Sequence, residues 1–245
     1  MQAQVLLVAY HKPEQIRRVL GELDATSGVD FRYVIVNNSP DSAVDRVLDE
    51  FRGRTSREVV LTRSRHNWFT PAFNEGLAPV LHDVPFTFYV CSVHAAVHHP
   101  RWMLRCMRWM REHPKAGIGG SVIRAAGYGN RFDRCNLGFY KRQGLKFDYT
   151  ARINKRWWRS LTDRQKYNLP HAQGGIWVLR RSMVKRIGLL SPDFFFSFVD
   201  VEYSFRAMSY GWQLGRIPGI WADEQRFDAP MPPGTLVSHA RRNAE

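Results

Sequence analysis

Val5-Leu6-Leu7-Val8-Ala9-Tyr10-His11-Lys12-Pro13-Glu14-Gln15-Ile16 is the stretch on which the fold turns. Its first five residues form an unbroken apolar run, the pattern of a strand buried on both faces. Pro13 then sits where the first position of a helix tolerates it, and Ile16, Val19, Leu20 and Leu23 recur at helical spacing. Strand, short polar turn and amphipathic helix make a β-α unit, and the unit repeats. Residues 31–36 predict a second strand, closed by the turn Asn37-Asn38-Ser39-Pro40-Asp41, and Val44, Val47, Leu48 and Phe51 stripe the next helix. Residues 58–61 predict a third strand, and Pro71 opens a helix carrying Phe73, Leu77, Val80 and Leu81. Residues 86–91 predict a fourth strand and 101–112 a helix. Such repetition predicts an α/β domain with a mainly parallel, Rossmann-like sheet flanked by helices on both faces. Ligands in these sheets bind beyond the carboxyl ends of the strands, which points to the residues just after Ala9, Val36, Leu61 and Cys91.

The second half reads differently. Residues 124–168 carry no clear periodicity and are expected to be irregular. Between 131 and 166 there are eleven basic residues against three acidic ones (Asp133, Asp148, Asp163), interleaved with seven aromatics. Regular structure is expected to resume over 174–179, with helices near 182–187 and 201–210. Three regions follow within one integrated domain: 1–123, a basic aromatic insert over 124–171, and 172–245.

At 245 residues with 44% apolar content, the chain is long enough for one well-buried core and too short for two full domains. Its most apolar stretch, 84–97, is too short to cross a bilayer and is interrupted by Pro85 and His94. The opening apolar run is too short for a signal peptide. Three cysteines (Cys91, Cys106, Cys135) without zinc-type spacing fit a reducing compartment, so a soluble, cytoplasmic protein is expected. A net charge of +14 favours polyanionic partners: nucleic acid, an anionic membrane surface or phosphorylated substrates. The same charge would also serve solubility alone.

Four segments, taken in chain order, resemble the family 2 glycosyltransferases of the GT-A fold. The opening stretch from Val5 to Ile16 is similar to that family's first strand, Tyr-Asn-Arg-Pro-like turn and first helix. Val34-Ile35-Val36-Asn37-Asn38-Ser39-Pro40-Asp41 resembles its second strand and Val-Asp-Asn-x-Ser-x-Asp turn. His66-Asn67-Trp68-Phe69-Thr70-Pro71-Ala72-Phe73-Asn74-Glu75-Gly76-Leu77 resembles its Asn-x-Gly-x-x-x-Ala-x-Asn-x-Gly segment. Val199-Asp200-Val201-Glu202-Tyr203-Ser204-Phe205-Arg206 is similar to its Glu-Asp-x-Asp-x-x-x-Arg element. The resemblance covers roughly residues 4–120 and 172–225.

That resemblance implies a nucleotide-diphosphate sugar as donor, with UDP-sugars the common case. The turns at Ala9, Tyr10 and His11 and at Asn37, Asn38 and Asp41 would then hold the base and ribose. Asn37 stands where the family usually carries Asp; an amide still accepts a ring N–H and adds donors of its own. Asn67, Asn74 and Gly76 fall where a helix N-terminus approaches the donor, whose oxygens suit free N–H groups and the helix dipole. Gly174 and Gly175 fall beside the donor sugar, with Trp177 expected nearby. Asp200 matches the base that removes the acceptor proton in an inverting transfer, and Glu202 a second acidic position. Each site also has a plainer reading, as a turn, an N-cap or a first-turn acid.

One departure is marked. The family's fourth strand ends in Asp-x-Asp, which binds ribose and a divalent ion; here the triplet falls on Val93-His94-Ala95. No carboxylate is offered for a hard cation. Either cations of the protein neutralise the leaving diphosphate, or His94 holds a softer ion, with His98, His99 and His239 as other candidates, or transfer has been lost. The insert occupies the family's variable acceptor region. Arg152, Lys155 and Arg156 would face phosphates while Trp157 and Trp158 stack on a base or sugar ring. Three readings stand for the partner: DNA bearing a hydroxylated base such as a hydroxymethylpyrimidine, a lipid-linked or cell-surface glycan at an anionic membrane face, and a nucleic acid bound without catalysis.

Overall fold

The computed structural model describes residues 3–64, 66, 68–78, 81, 86–90, 95–97, 100–125, 133–135, 137–141, 168–172, 176–194 and 199–224. The opening stretch folds as it reads: strand β1 (Ala3–Ala9) is buried at all seven positions and leads into helix α1 (Pro13–Asp24) with Pro13 in its first turn. Next come β2 (Phe31–Asn37), α2 (Ser42–Arg54), β3 (Val59–Arg63), α3 (Phe69–Leu77), β4 (Phe86–Val90), β5 (Ala95–Val97) and α4 (Trp102–Glu112). Strands β6 (Ala116–Ala125), β7 (Asp133–Cys135), β8 (Leu137–Lys141), β9 (Asn168–Ala172) and β10 (Ile176–Arg180) follow. Helices α5 (Arg181–Ile187) and α6 (Val199–Ser209) and strand β11 (Gln213–Glu224) complete the order.

The main sheet runs β3-β2-β1-β4-β10-β6-β11-β5, with β7 on β6, and β8 and β9 pair separately. Strands β3, β2, β1 and β4 are parallel, as the repeated β-α units require, and β6 is parallel to β11. Strand β10 runs antiparallel between β4 and β6 and joins the two parallel blocks.

Alternation along β1 explains why its apolar run is continuous. Val5, Leu7 and Ala9 enter one core with Ile16, Val19 and Leu20 of α1, Val44 and Leu48 of α2, and Trp102, Met103 and Met107 of α4. Leu6 and Val8 enter the other, with Phe73 of α3, Met183 of α5 and Tyr203 of α6. The sheet is thus covered on both faces.

The strands that sequence periodicity missed are rich in glycine or short. Strand β6 opens Ala-Gly-Ile-Gly-Gly, a composition that weakens any strand signal. Its glycines are there for contact. A Cβ on Gly119 would lie 2.7 Å from Ile217, and one on Gly215 of β11 would lie 2.3 Å from the ring of Trp109, so α4 lies close against the sheet. The expectation of irregular structure over 124–168 is corrected at β7, which folds back antiparallel on β6, and at β8, whose five residues pair with β9 across a long sequence interval. Among the described residues no helix is long and apolar enough to cross a membrane.

Candidate functional site

The carboxyl ends of β1 and β2 lie side by side, Ala9 registered with Asn37, and their turns are laced together. Asn38 donates its N–H to the Ala9 carbonyl (2.9 Å), and Ser64 at the end of β3 donates to that of Asn37 (2.9 Å). His11 donates its N–H to Ser39 Oγ (3.2 Å), which also accepts from the Asp41 N–H (3.1 Å). His11 and Lys12 adopt φ of 47° and 54°, left-handed values that residues with a Cβ seldom take. Such conformations persist where surrounding structure fixes them, and they gather at functional sites. This one projects Tyr10, 43% exposed, and His11, whose rings meet edge to face, beyond the strand end.

Asn37, Asn38 and Asp41 of the second turn are put to different uses. The Asn37 amide is spent on the turn and on α2: Oδ1 accepts from the Ser39 N–H (3.0 Å) and Nδ2 donates to Asp45 Oδ1 (2.5 Å). Asp45 in turn pairs with Arg63 at 2.8 Å. Asp41 caps α2, accepting from the Ala43 N–H at 2.8 Å. Asn38 differs. It is 5% exposed, its Nδ2 donates to the Trp68 carbonyl (3.2 Å), and its Oδ1 is buried with no hydrogen-bond partner. A buried acceptor left unmade costs about 1–3 kcal/mol.

Helix α3 follows. Trp68 at its cap position supplies no side-chain capping hydrogen bond. Gly76 is buried against the sheet, where a Cβ would come within 2.4 Å of Leu6 and 2.7 Å of Val36. Asn74 turns to another segment: Nδ2 donates to the Leu190 carbonyl (2.9 Å) and Oδ1 accepts from the Leu190 N–H (3.0 Å).

Topology brings Asp200 to the same end of the sheet. Strand β11 starts beside the start of β6, at the end opposite Ala9, and α6 runs down to that start. The first turn of α6, with Asp200 and Glu202, therefore lies toward the carboxyl end of the sheet, on the β6 and β11 side. Asp200 is half-buried and its Oδ1 accepts from the Val201 N–H (2.9 Å). Glu202 is held by Arg206 at 2.9 Å, a pair readable from i,i+4 spacing, and Arg206 also donates to the Ile187 carbonyl (3.0 Å). Tyr203 donates to the Gly188 carbonyl (3.0 Å), and burial pushes its phenol well above the ordinary value, so it stays neutral. Trp177 is fully buried between α3 and α6, edge-on to Phe73 and stacked on Tyr203.

Asn67, Val93, His94, Gly174, Gly175, Arg152, Lys155, Arg156, Trp157, Trp158 and His239 lie outside the described residues. Ala95, the last position of the degenerate triplet, begins β5. The register sets it opposite Glu224 and sets Ala96 opposite Asp223, two acids that sequence reading had no means to bring there. Among the described residues no group of three or more His, Cys, Asp or Glu is placed to hold a metal. The side chains of Val93, His94 and Ala95 do not fit a hard divalent ion.

Solved structures share this architecture. GalNAc-T7, solved with UDP, GalNAc and Mn²⁺, superposes with a TM-score of 0.70 at 14% identity, covering 99% of this chain and 47% of that one. S. aureus TarS 1–349 in complex with UDP gives 0.60 at 13% identity, over 100% and 64% of the two chains. The mannosyltransferase PcManGT from Pyrobaculum calidifontis, with GDP-Man and Mn²⁺, gives 0.62 at 12% identity, over 98% and 60%. The chain thus spans about half to two thirds of the length of these GT-A proteins and has their fold. No curated protein matches it by sequence. The glycosyl transferase family 2 profile matches residues 4–188, and the chain belongs to that family.

Proposed function

We propose that the chain is an inverting glycosyltransferase that moves a sugar from a nucleotide-diphosphate donor to an acceptor hydroxyl, with Asp200 as the base. What supports this reading is topology: α6 leads into the start of β11, so its Asp200 end points toward the carboxyl end of the sheet, the end at which the β1 and β2 turns are laced together. Asn38 Oδ1 is the acceptor for a ring N–H of the base, with Tyr10 and His11 beside it. Asp200 removes the acceptor proton as that oxygen attacks the anomeric carbon from the face opposite the diphosphate. The new C–O bond forms as the bond to the diphosphate breaks, which inverts the anomeric centre. The leaving diphosphate takes its compensation from basic side chains, since the triplet at 93–95 brings no carboxylate pair.

For the acceptor, the charge of +14 and the basic aromatic insert favour a polyanion, and DNA bearing a hydroxylated base is the reading we adopt. The deciding experiment is mass spectrometry of hydroxymethylated DNA and of lipid-linked glycans after incubation with a panel of UDP- and GDP-sugars. Sugar on the DNA base supports the reading; sugar only on the lipid-linked glycan replaces DNA with a membrane-face acceptor. Asp200→Asn should lower turnover roughly 10²–10⁴-fold with donor affinity kept. Normal turnover in that variant removes Asp200 from the chemistry.

A further inference from the structure

The segment between α5 and α6 is fastened on both sides. From α3, Thr70 Oγ1 donates to the Phe194 carbonyl, and Asn74 makes its two-way pair with the backbone of Leu190. From α6, Tyr203 donates to the Gly188 carbonyl and Arg206 to that of Ile187. These bonds join residues more than a hundred positions apart on the α3 side and fewer than twenty on the α6 side. Phe73 of α3, Trp177 of β10 and Tyr203 of α6 also form a buried aromatic row, Phe73 edge-on to Trp177 at 6.4 Å between centroids and Trp177 stacked on Tyr203 at 6.2 Å. The ties from α3 use side chains that the local fold does not need. Thr70 and Asn74 lie inside the helix, not at a cap, and Thr70 is fully buried. A buried polar side chain in a helix interior costs stability unless it is bonded, and a threonine or asparagine there is a poor helix former.

We infer that Thr70 and Asn74 are positioning residues: they lock α3 to the segment that leads into α6 and so fix where Asp200 stands relative to the β1 and β2 turns. The inference rests on the reading of Asp200 as the base. It assigns Asn74 a role distinct from donor contact. Each polar end of its amide makes a bond to the Leu190 backbone, so loss of that pair should disturb the geometry of the base and leave nucleotide affinity intact. A misplacement on the scale of one ångström at a reacting group costs roughly 10²-fold in rate.

The test uses the full chain with UDP-GlcNAc and GDP-mannose as probes, following UDP or GDP release with water as the acceptor, and calorimetric binding of UDP and GDP. Asn74→Asp keeps shape and the acceptor but sets an oxygen against the Leu190 carbonyl. Thr70→Val keeps shape and loses the hydroxyl, while Thr70→Ser keeps the hydroxyl. The expected result is a kcat roughly 10–100-fold lower for Asn74→Asp and Thr70→Val. Nucleotide affinity should be unchanged and Thr70→Ser should be near wild type. In an Asp200→Asn background, Asn74→Asp should add little, because it acts through Asp200. An undiminished Asn74→Asp penalty in that background overturns the inference, as does lost nucleotide affinity with kcat retained. Wild-type kcat in folded Asn74→Asp and Thr70→Val overturns it too. Failure of the underlying reading shows separately: Asp200→Asn alone then turns over normally, or the wild type releases nucleotide from neither donor.

Discussion

Asn37 occupies a position where related turns usually carry Asp, and the structure supplies a reason that can be tested by reversing it. Its Nδ2 donates to Asp45 Oδ1 at 2.5 Å, in a site where Asn37 itself is 4% exposed. Asn37→Asp would set two carboxylates face to face. Unit charges about 3 Å apart repel by about 5 kcal/mol at an effective dielectric of about 20. The variant escapes part of that cost by binding a proton. Holding a carboxyl protonated at pH 7, about three units above its ordinary pKa, costs about 4 kcal/mol, which sets the ceiling. Asp45 is one-third exposed and lies 2.8 Å from Arg63, so screening and that cation lower the figure to about 2–3 kcal/mol.

The penalty carries a sign in pH. The folded variant keeps a shared proton that the unfolded chain has lost between about pH 4 and 7, so its stability relative to wild type falls as pH rises through that window. Urea unfolding at pH 7 should show a midpoint about 1 M lower than wild type, with the gap narrowing markedly at pH 4.5. Exchanging the two residues, Asn37→Asp with Asp45→Asn, restores one amide facing one carboxylate and should recover most of the loss at pH 7. A pH 7 midpoint equal to wild type, a gap unchanged at pH 4.5, or an exchange variant no better than the single change would each refute the argument.

Other outcomes follow from the same structure. Nucleotide release from a donor sugar should persist in excess EDTA, because the triplet at 93–95 lacks carboxylates. Loss of release with chelator, restored by Mn²⁺, would refute this and direct attention to Asp223 and Glu224. Gly215→Ala should destabilise by about 1–3 kcal/mol, because its Cβ meets the rigid ring of Trp109 at 2.3 Å. Gly21→Ala in α1 has open space and should stabilise by up to about 1 kcal/mol; thermal melts that fail to separate the two would contradict the packing described. If the insert tracks a phosphate backbone, DNA binding should weaken with salt at a log–log slope of about −4 or steeper. Charge reversal at Arg152, Lys155 and Arg156 should flatten it. A shallow slope with capture by anionic vesicles would favour a membrane-face acceptor.

What the sequence made legible was local. The buried run 5–9, the helical stripe behind Pro13 and the turn 37–41 are patterns within a dozen residues, and the structure returns them as β1, α1 and the laced strand ends. Strands β6 and β11 escaped because their glycines answer to Trp109 and Ile217, side chains whose approach no local period encodes. The short strand β5 escaped because three small apolar residues at an edge carry no signature, although its register decides which positions of β11 face Ala95 and Ala96.

The candidate site divides along the same line, and Asn74 shows why. A motif tells where a residue stands in the chain, so the Asn-x-Gly spacing correctly places Asn74 and Gly76 on the helix that follows β3. It does not tell which way a side chain is spent. Gly76 is spent on closeness to Leu6 and Val36, and Asn74 on the backbone of Leu190, 116 positions away. Asn37 and Asp41 are likewise committed to their own turn and cap. Of the polar side chains in the second turn, only the amide oxygen of Asn38 is buried with capacity left over. A side chain bonded within the protein helps to hold a site, whereas an acceptor left unsatisfied at a buried strand end calls for an explanation. Thr70, Asn74, Asn37 and Asp41 each bond within the protein, and in our proposal Asn38, beside Tyr10 and His11, is taken as the nucleotide contact because its amide oxygen does not.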